Sequence, residues 1–206
     1  MAPRETLQRL REQEREARRD LIVDAARRLF GAGTFDRTSM QEIAAEAGIA
    51  KSSIYTYFRN QEALFVETAF RDTNRLIDEL EGKAAEAGGL DIAGVVRHCI
   101  DFCVGNDAYW RMITRFALYG KLSRESVRKL DVVARRLMDL VEGLFPPEKA
   151  GTDSRLSPHA LFAGVVGILV AFRKYPGRTE EELVAHMKAV GDHLASLFDR
   201  APFVGS

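Results

Sequence analysis

The sequence predicts an all-α fold of about nine helices, and three observations carry that prediction. Apolar residues recur every three or four positions over most of the chain, as in Leu130, Ala134, Leu137, Val141 and Leu144. No segment sustains the apolar–polar alternation of a half-buried strand. Helix breakers fall between the periodic runs rather than inside them: Gly88-Gly89, Pro146-Pro147 and Pro176-Gly177.

Residues 1–20 alternate in charge and read as a helical extension held by i,i+4 pairs such as Glu14 with Arg18, or as an arm that follows a DNA backbone. The first firm helix carries Ile22, Ala25, Ala26, Leu29 and Phe30 on one face and ends near Gly31–Gly33. Thr38 and Ser39 are favoured N-caps, with Gln41 and Glu42 at capping-box spacing. The helix they open has Ile43, Ala44 and Ala47 inward and stops at Gly48. A second short helix runs from about Ala50 to Tyr57, with Ile54 and Phe58 inward. Its other face holds Lys51, Ser52, Ser53, Tyr55 and Tyr57. One charge, small hydroxyls and two phenols suit phosphates and base edges better than they suit solvent alone. Two short helices with a Gly-containing turn and such a face describe a helix-turn-helix. The alternative is a helical corner whose tyrosines cap a core.

These residues carry a resemblance. Ile22-Val23-Asp24-Ala25-Ala26-Arg27-Arg28-Leu29-Phe30, Gly33-Thr34-Phe35, Thr38-Ser39, Ile43-Ala44-Ala45-Glu46-Ala47-Gly48-Ile49, Ile54-Tyr55-Thr56-Tyr57-Phe58 and Leu64-Phe65 resemble the DNA-binding domain of TetR-family transcriptional regulators. The resemblance spans Arg19 to Phe65. It implies that the positions of Ser53 and Tyr55 lie at the DNA surface. Two departures stand out: Ala50 opens the recognition helix where the family often has a Ser or Thr cap, and Asn60-Gln61 replace a Lys that binds phosphate in many members. Arg59 is the expected substitute. The expected DNA-binding set is Arg37, Thr38, Ser39, Lys51, Ser52, Ser53, Tyr55, Tyr57 and Arg59.

Asn60 is the expected cap of a helix from Gln61 to about Ala85, lined by Leu64, Val66, Ala69, Phe70, Thr73, Ile77 and Leu80 and about 37 Å long. Helices follow from Asp91, with Ile92, Val95, Val96, Cys99 and Cys103 on one face, and through Tyr109, Met112, Ile113 and Phe116. Ser123 caps a helix with Val127, Leu130, Ala134, Leu137 and Val141 expected inward. Ser157-Pro158 opens another with Pro at its first position, and Thr179 with Glu182 opens the last. Ala160, Gly164, Gly167 and Ala171 make a small-residue stripe. Each Gly costs about 1 kcal/mol in a helix, which close packing can offset. Leu183, Met187, Val190, Leu194 and Leu197 repeat at alternating spacings of four and three. The two sets are expected to form a four-helix bundle with a second copy, as the family's dimers do, or else to pack within one chain. His186 and His193 would lie on or beside that face.

The expected organisation is a charged extension over 1–20, a helix-turn-helix domain over 21–65 and a helical effector-binding and dimerisation domain over 66–206. Formal net charge is zero, and residues 1–60 hold 11 Lys/Arg against 9 Asp/Glu, so affinity for DNA must come from placement of charge rather than its bulk. No apolar run reaches the length of a membrane span, and the charged N-terminus is no signal peptide, which predicts a cytoplasmic protein. Two cysteines are too few for a disulfide framework. His98, Cys99 and Cys103 lack zinc spacing and read as core thiols beside a histidine. No phosphate-binding loop, dinucleotide fingerprint or nucleophile elbow is present, so no cofactor, no metal and no catalytic residue is expected. Phe70, Cys99, Phe102, Cys103, Trp110, Met112, Phe116, Tyr119, Met138 and Phe162 either line an effector pocket or fill an ordinary core; Arg97, Arg111 and Arg115 could hold a carboxylate beside it. The reading that absorbs most residues is a dimeric regulator, a repressor released from a palindromic operator by a small, mainly apolar or aromatic effector. The alternatives are an all-helical small-molecule enzyme and a DNA-binding or adaptor protein that answers to no ligand.

Overall fold

A computed structural model describes residues 3–32, 38–119, 122–145 and 155–200, with side chains described over 5–32, 38–114, 122–145 and 155–198. Arg37 and the side chains of Arg115, Phe116 and Tyr119 lie outside the described residues. Nine helices and no strand occur among the described residues: α1 Pro3–Ala32, α2 Met40–Glu46, α3 Lys51–Ile54, α4 Gln61–Ala87, α5 Ile92–Gly105, α6 Asp107–Tyr119, α7 Arg124–Glu142, α8 Leu156–Phe172 and α9 Glu180–Arg200. None is long and apolar enough to cross a membrane.

The chain divides into two compact units. The first takes residues 1–71 and 108–130, the second 72–107 and 131–206.

In the first unit α1 is continuous from the charged extension into the core. Glu14 and Arg18 pair at 2.6 Å on its exposed part, and Ile22, Val23, Ala25, Ala26 and Phe30 are buried further on. Residues 108–130 join this unit because their contacts run to α1 and α4. Gly31 is the point of closest approach: a Cβ there would stand 2.1 Å from the Ala108 Cβ. Asn60 caps α4 by accepting the Ala63 N–H at 2.8 Å. The Glu62 carboxylate accepts from the Ser126 hydroxyl and from the Ser123 N–H, the latter at 2.9 Å, and these bonds hold its pKa below the ordinary range. Glu67 is buried between Arg19, at 2.6 Å, and Lys129. Burial raises its carboxyl, but hydrogen bonds and charge from Arg19 and Lys129 outweigh this, and the net shift is downward. A carboxylate inside α4 was not among the residues expected to line it.

In the second unit α9 packs on both α5 and α8. Asp91 caps α5 through the Gly94 N–H at 2.7 Å. Thr179 and Glu182 form the expected capping box at the start of α9. Gly191 is the close approach here, since a Cβ would fall 2.7 Å from Val96 Cγ1. Lys188 with Asp101 at 2.7 Å and Arg97 with Asp192 at 3.3 Å tie the same helices at their edges, so Arg97 is already paired with a carboxylate.

Four sequence expectations are corrected. The recognition helix is one turn, Lys51–Ile54, not residues 50–57, because the bonds from the N–H groups of Thr56 and Tyr57 run to the third residue back and tighten the chain into turns. Pro158 is the third residue of α8, since the helix already begins at Leu156. On α7 the buried residues are Ser126, Val133 and Val141, whereas Val127 and Ala134 face solvent; the Glu62–Ser126 bond fixes that register. Finally, Leu183 and Met187 are buried inside their own unit, so they are not available to a second copy.

Candidate nucleic-acid interface

The helix-turn-helix begins at Ser39. Its hydroxyl accepts the Glu42 N–H at 3.2 Å, while the Glu42 carboxylate accepts the Ser39 N–H at 2.7 Å. Backbone and hydroxyl of Ser39 together hold the Glu42 carboxyl below its ordinary range. The reciprocal bonds satisfy donors that an α-helix leaves open at its start. Met40, Ile43 and Ala44 bury the inner face of α2. Gly48 then turns the chain at φ +69°, in the left-handed region that favours glycine, and the Ile49 N–H closes back on the Ala44 carbonyl at 2.9 Å.

Ala50 opens α3 with no side-chain cap; the bond there is the Ser53 N–H to the Ala50 carbonyl at 2.9 Å. Ile54, fully buried, pins the turn from behind, and buried Phe58 fastens its far end under the Arg19 guanidinium, 5.2 Å above the ring. Phasing at 100° per residue therefore sends Lys51, Ser52, Tyr55 and Thr56 outward, with Ser53 and Tyr57 half-buried. Tyr55 keeps 49% of its surface. Lys51 Nζ donates to Gln41 Oε1 at 3.2 Å, which lays the ammonium across the α2–α3 junction. The Thr56 hydroxyl donates to the Ser53 carbonyl at 2.8 Å.

The structure brings together Lys51, Ser52, Ser53 and Tyr55 from the expected set. Ser39 serves first as the cap. Thr38 is half-buried beside it. Tyr57 turns toward a recess it shares with Arg19, Arg59 and Lys129. Arg59, expected to replace a missing phosphate-binding Lys, is paired with Glu125 at 2.7 Å. That pair is exposed on both sides and is of the kind worth about 0–1 kcal/mol, so it competes only weakly with another anion. Sequence reasoning missed Gln41 and Thr56. Gln41 had a signal, its place two residues after the cap on the exposed side of α2.

The residues expected around an effector divide between the units. Phe70, half-buried under Lys129 at 5.1 Å, belongs to the first unit with buried Trp110 and Met112. Phe102 and Cys103 are buried in the second, with Cys99 and Met138 partly so. Burial pushes both thiols up to about 12. Phe162 is 45% exposed and points away from the interior of its unit, which corrects its place in the expected pocket. No group of three or more His, Cys, Asp or Glu placed to hold a metal occurs among the described residues.

The model of bacterial regulatory proteins of the tetR family matches residues 22–68, which hold all of α2 and α3, the end of α1 and the start of α4. That segment is similar to the DNA-binding domain of the TetR family. An HTH-type transcriptional repressor of Mycobacterium tuberculosis is 30% identical to this chain over 109 residues; the match spans about half the length of each, 53%. The HTH-type regulator BetI of Rhizobium meliloti is 29% identical over 189 residues, covering 85% of this chain and 92% of that one. A solved structure of the regulator FadR from Bacillus subtilis, in complex with stearoyl-CoA, superposes with a TM-score of 0.67 at 20% identity, covering 85% and 97%. At that identity the likeness establishes the fold. The match over residues 22–68 supports a DNA-binding helix-turn-helix in that segment, and the relatives that share it are named transcriptional regulators.

Proposed function

We propose that this chain is a repressor that binds a palindromic operator as a homodimer in the cytoplasm and leaves it when a small, mainly apolar or aromatic effector binds. The observation that carries the DNA reading is the exposed Lys51-Ser52-x-x-Tyr55 face on a turn pinned by Ile54 and Phe58. All three side chains are exposed, and none is buried in the core among the described residues. In this reading Lys51, Ser52, Ser53 and Tyr55 meet base edges and phosphates in the major groove, while Tyr57, Ser39, Thr38, Arg37 and Arg59 follow the backbone. Repression is supported by the Mycobacterium tuberculosis relative, itself named a repressor.

The second copy is supported by the outer face of α8, where Ala160, Gly167 and Ala171 lie exposed beside Phe162 and Val170. A Cβ added at Gly167 would meet no atom of another part of the chain within 4 Å among the described residues, whereas one at Gly164 would come within 2.5 Å of Leu194. The close-packed half of the stripe thus serves the chain itself, and the open half, with half-buried Val190 and exposed Leu197 of α9, is left for the partner. The apolar effector is supported by the B. subtilis fatty acid metabolism regulator, 23% identical over 154 residues, and by the stearoyl-CoA in the solved relative.

Footprinting on DNA flanking the gene, followed by fluorescence anisotropy on the protected site, tests the reading. A Lys51→Ala/Tyr55→Phe double variant is expected to lose most specific affinity and to lower the salt slope by about one phosphate contact. Unchanged operator affinity in a folded double variant refutes the assignment of this face.

A further inference from the structure

The turn between α8 and α9 holds a cleft of about 410 Å³ that none of the expected pocket residues lines. The volume falls in the range of small-molecule sites. Its apolar wall includes Val104, Leu183, Val184 and Met187. Its polar part is Arg173, Lys174 and Arg178, against Asp107 and Glu180, so the lining carries a net positive charge.

The state of these charges matters more than their number. Arg173 follows the last residue of α8, and its side chain is 11% exposed. Its Nη2 donates to Asp107 at 2.6 Å and to the Val104 carbonyl at 3.2 Å, and its Nε donates to Asp107 at 3.2 Å. Nη1 is buried and has no acceptor. A guanidinium has five N–H donors in a fixed fork, and buried donors in folded proteins are almost always met. Asp107 is committed to Arg173. Lys174 and Arg178, by contrast, are exposed and have no ion-pair partner among the described residues. Pro176-Gly177 sets the turn, with Gly177 at φ +83°, and carries both cations onto the rim of one recess. Most other arginines whose pairing is described are already matched with carboxylates, Arg59, Arg71, Arg97 and Arg136 among them.

We propose that this cleft is a binding site for a small organic anion: an apolar body against Leu183, Val184 and Met187, and a carboxylate or phosphate head between Lys174 and Arg178, above Arg173. An anion there answers the two free cations, and a small shift of the Arg173 fork lets Nη1 meet an oxygen of the head. The α8–α9 turn is remote in sequence from the helix-turn-helix, and the proposal does not require that the anion act on DNA binding.

The test is calorimetric titration of the full chain, without DNA, with octanoate, octyl phosphate and octanol. Saturable binding of octanoate or of octyl phosphate, with octanol at least about tenfold weaker, is expected, because charge-assisted hydrogen bonds to the head are absent from the alcohol. Which of the two anions binds more tightly identifies the head group. Lys174→Gln/Arg178→Gln, both at exposed positions, is expected to weaken the anion about tenfold or more and to leave octanol unchanged. Arg173→Met should do the same, and the surface double variant decides the matter if that chain does not fold. Absence of binding by both anions, equal binding of octanol, or full anion affinity in the double variant overturns the proposal. None of these results touches the operator reading, which is measured separately on DNA.

Discussion

Gly31→Ala should destabilise the first unit even though it replaces glycine with the best helix former inside a helix. In isolation the change stabilises a helix by about 1 kcal/mol. Here the new Cβ would stand 2.1 Å from the Ala108 Cβ and 2.5 Å from its Cα. Carbon atoms pack at about 3.5–4.0 Å, so α1 and the start of α6 must part by more than about 1 Å. The obstacle is backbone and Cβ rather than a long side-chain tip, so no rotamer relieves it. Overpacking of this kind costs about 1–3 kcal/mol, and the upper end applies against backbone. The net loss is about 1–2 kcal/mol after the helix gain is subtracted. Gly82→Ala is the control: it lies exposed on α4, its new Cβ would meet nothing within 4 Å among the described residues beyond its own helix, and it should stabilise by about 1 kcal/mol. Thermal unfolding by circular dichroism should show the two variants moving in opposite directions, by about 2–4 °C per kcal/mol for a chain of this size. A Gly31→Ala protein that melts at or above the parent would refute the claim that close approach at Ala108 holds residues 108–130 to the N-terminal unit.

Four further outcomes are expected. Tyr55→Phe removes one exposed hydroxyl and should weaken operator binding by about 1 kcal/mol, roughly fivefold, by anisotropy; an unchanged Kd means the phenol makes no hydrogen bond to DNA. At Gly167 an added Cβ enters open space in its own chain, so Gly167→Leu should leave the chain folded and, in the proposed dimer, yield monomer by light scattering; a stable dimer would place the contact elsewhere. Glu67→Gln should lower stability at neutral pH. The parent's carboxyl is held below its ordinary value, so its contribution is full above the unfolded pKa and is lost as pH falls through the folded one; the gap between parent and variant should close below about pH 4 in denaturant titrations. Cys99 and Cys103, with thiols pushed up to about 12 by burial, should resist iodoacetamide at pH 8 in the native chain and label only after unfolding; rapid labelling of the folded chain, seen by mass spectrometry, would contradict that burial.

Local chemistry was what the sequence made legible. Ser39 with Glu42, Gly48, Asn60, Ser123, and Thr179 with Glu182 all act where residue type and spacing place them, because a cap is satisfied within one turn of its own helix. The inward face of α1 and the anchors Ile54 and Phe58 were readable for the same reason. What was not readable depends on partners far along the chain. The α7 register is set by Glu62, more than sixty residues earlier, so Val127 and Ala134 satisfied the periodicity and still face water. Leu183 and Met187 follow a heptad spacing that describes a buried seam without saying whose seam it is; α5 of the same chain fills it, through Gly191. Arg59 was expected to stand in for a phosphate-binding Lys, and its pairing with Glu125 was not foreseen because Glu125 is invisible from position 59.

The brevity of α3 has a consequence for specificity. Four residues rise about 6 Å, and successive base pairs are about 3.4 Å apart, so one such turn runs alongside roughly two base pairs. Two base pairs occur by chance everywhere in a genome. A regulator with so short a probe cannot find one address by direct contact from a single copy. In the proposed homodimer, selectivity comes from doubling the probe across a two-fold axis and from how readily the DNA between the halves bends or twists to meet both. Substitutions in that untouched spacer, made without altering any base beneath Lys51 or Tyr55, should therefore change affinity, and the variation among natural operators should be read there as much as in the half-sites.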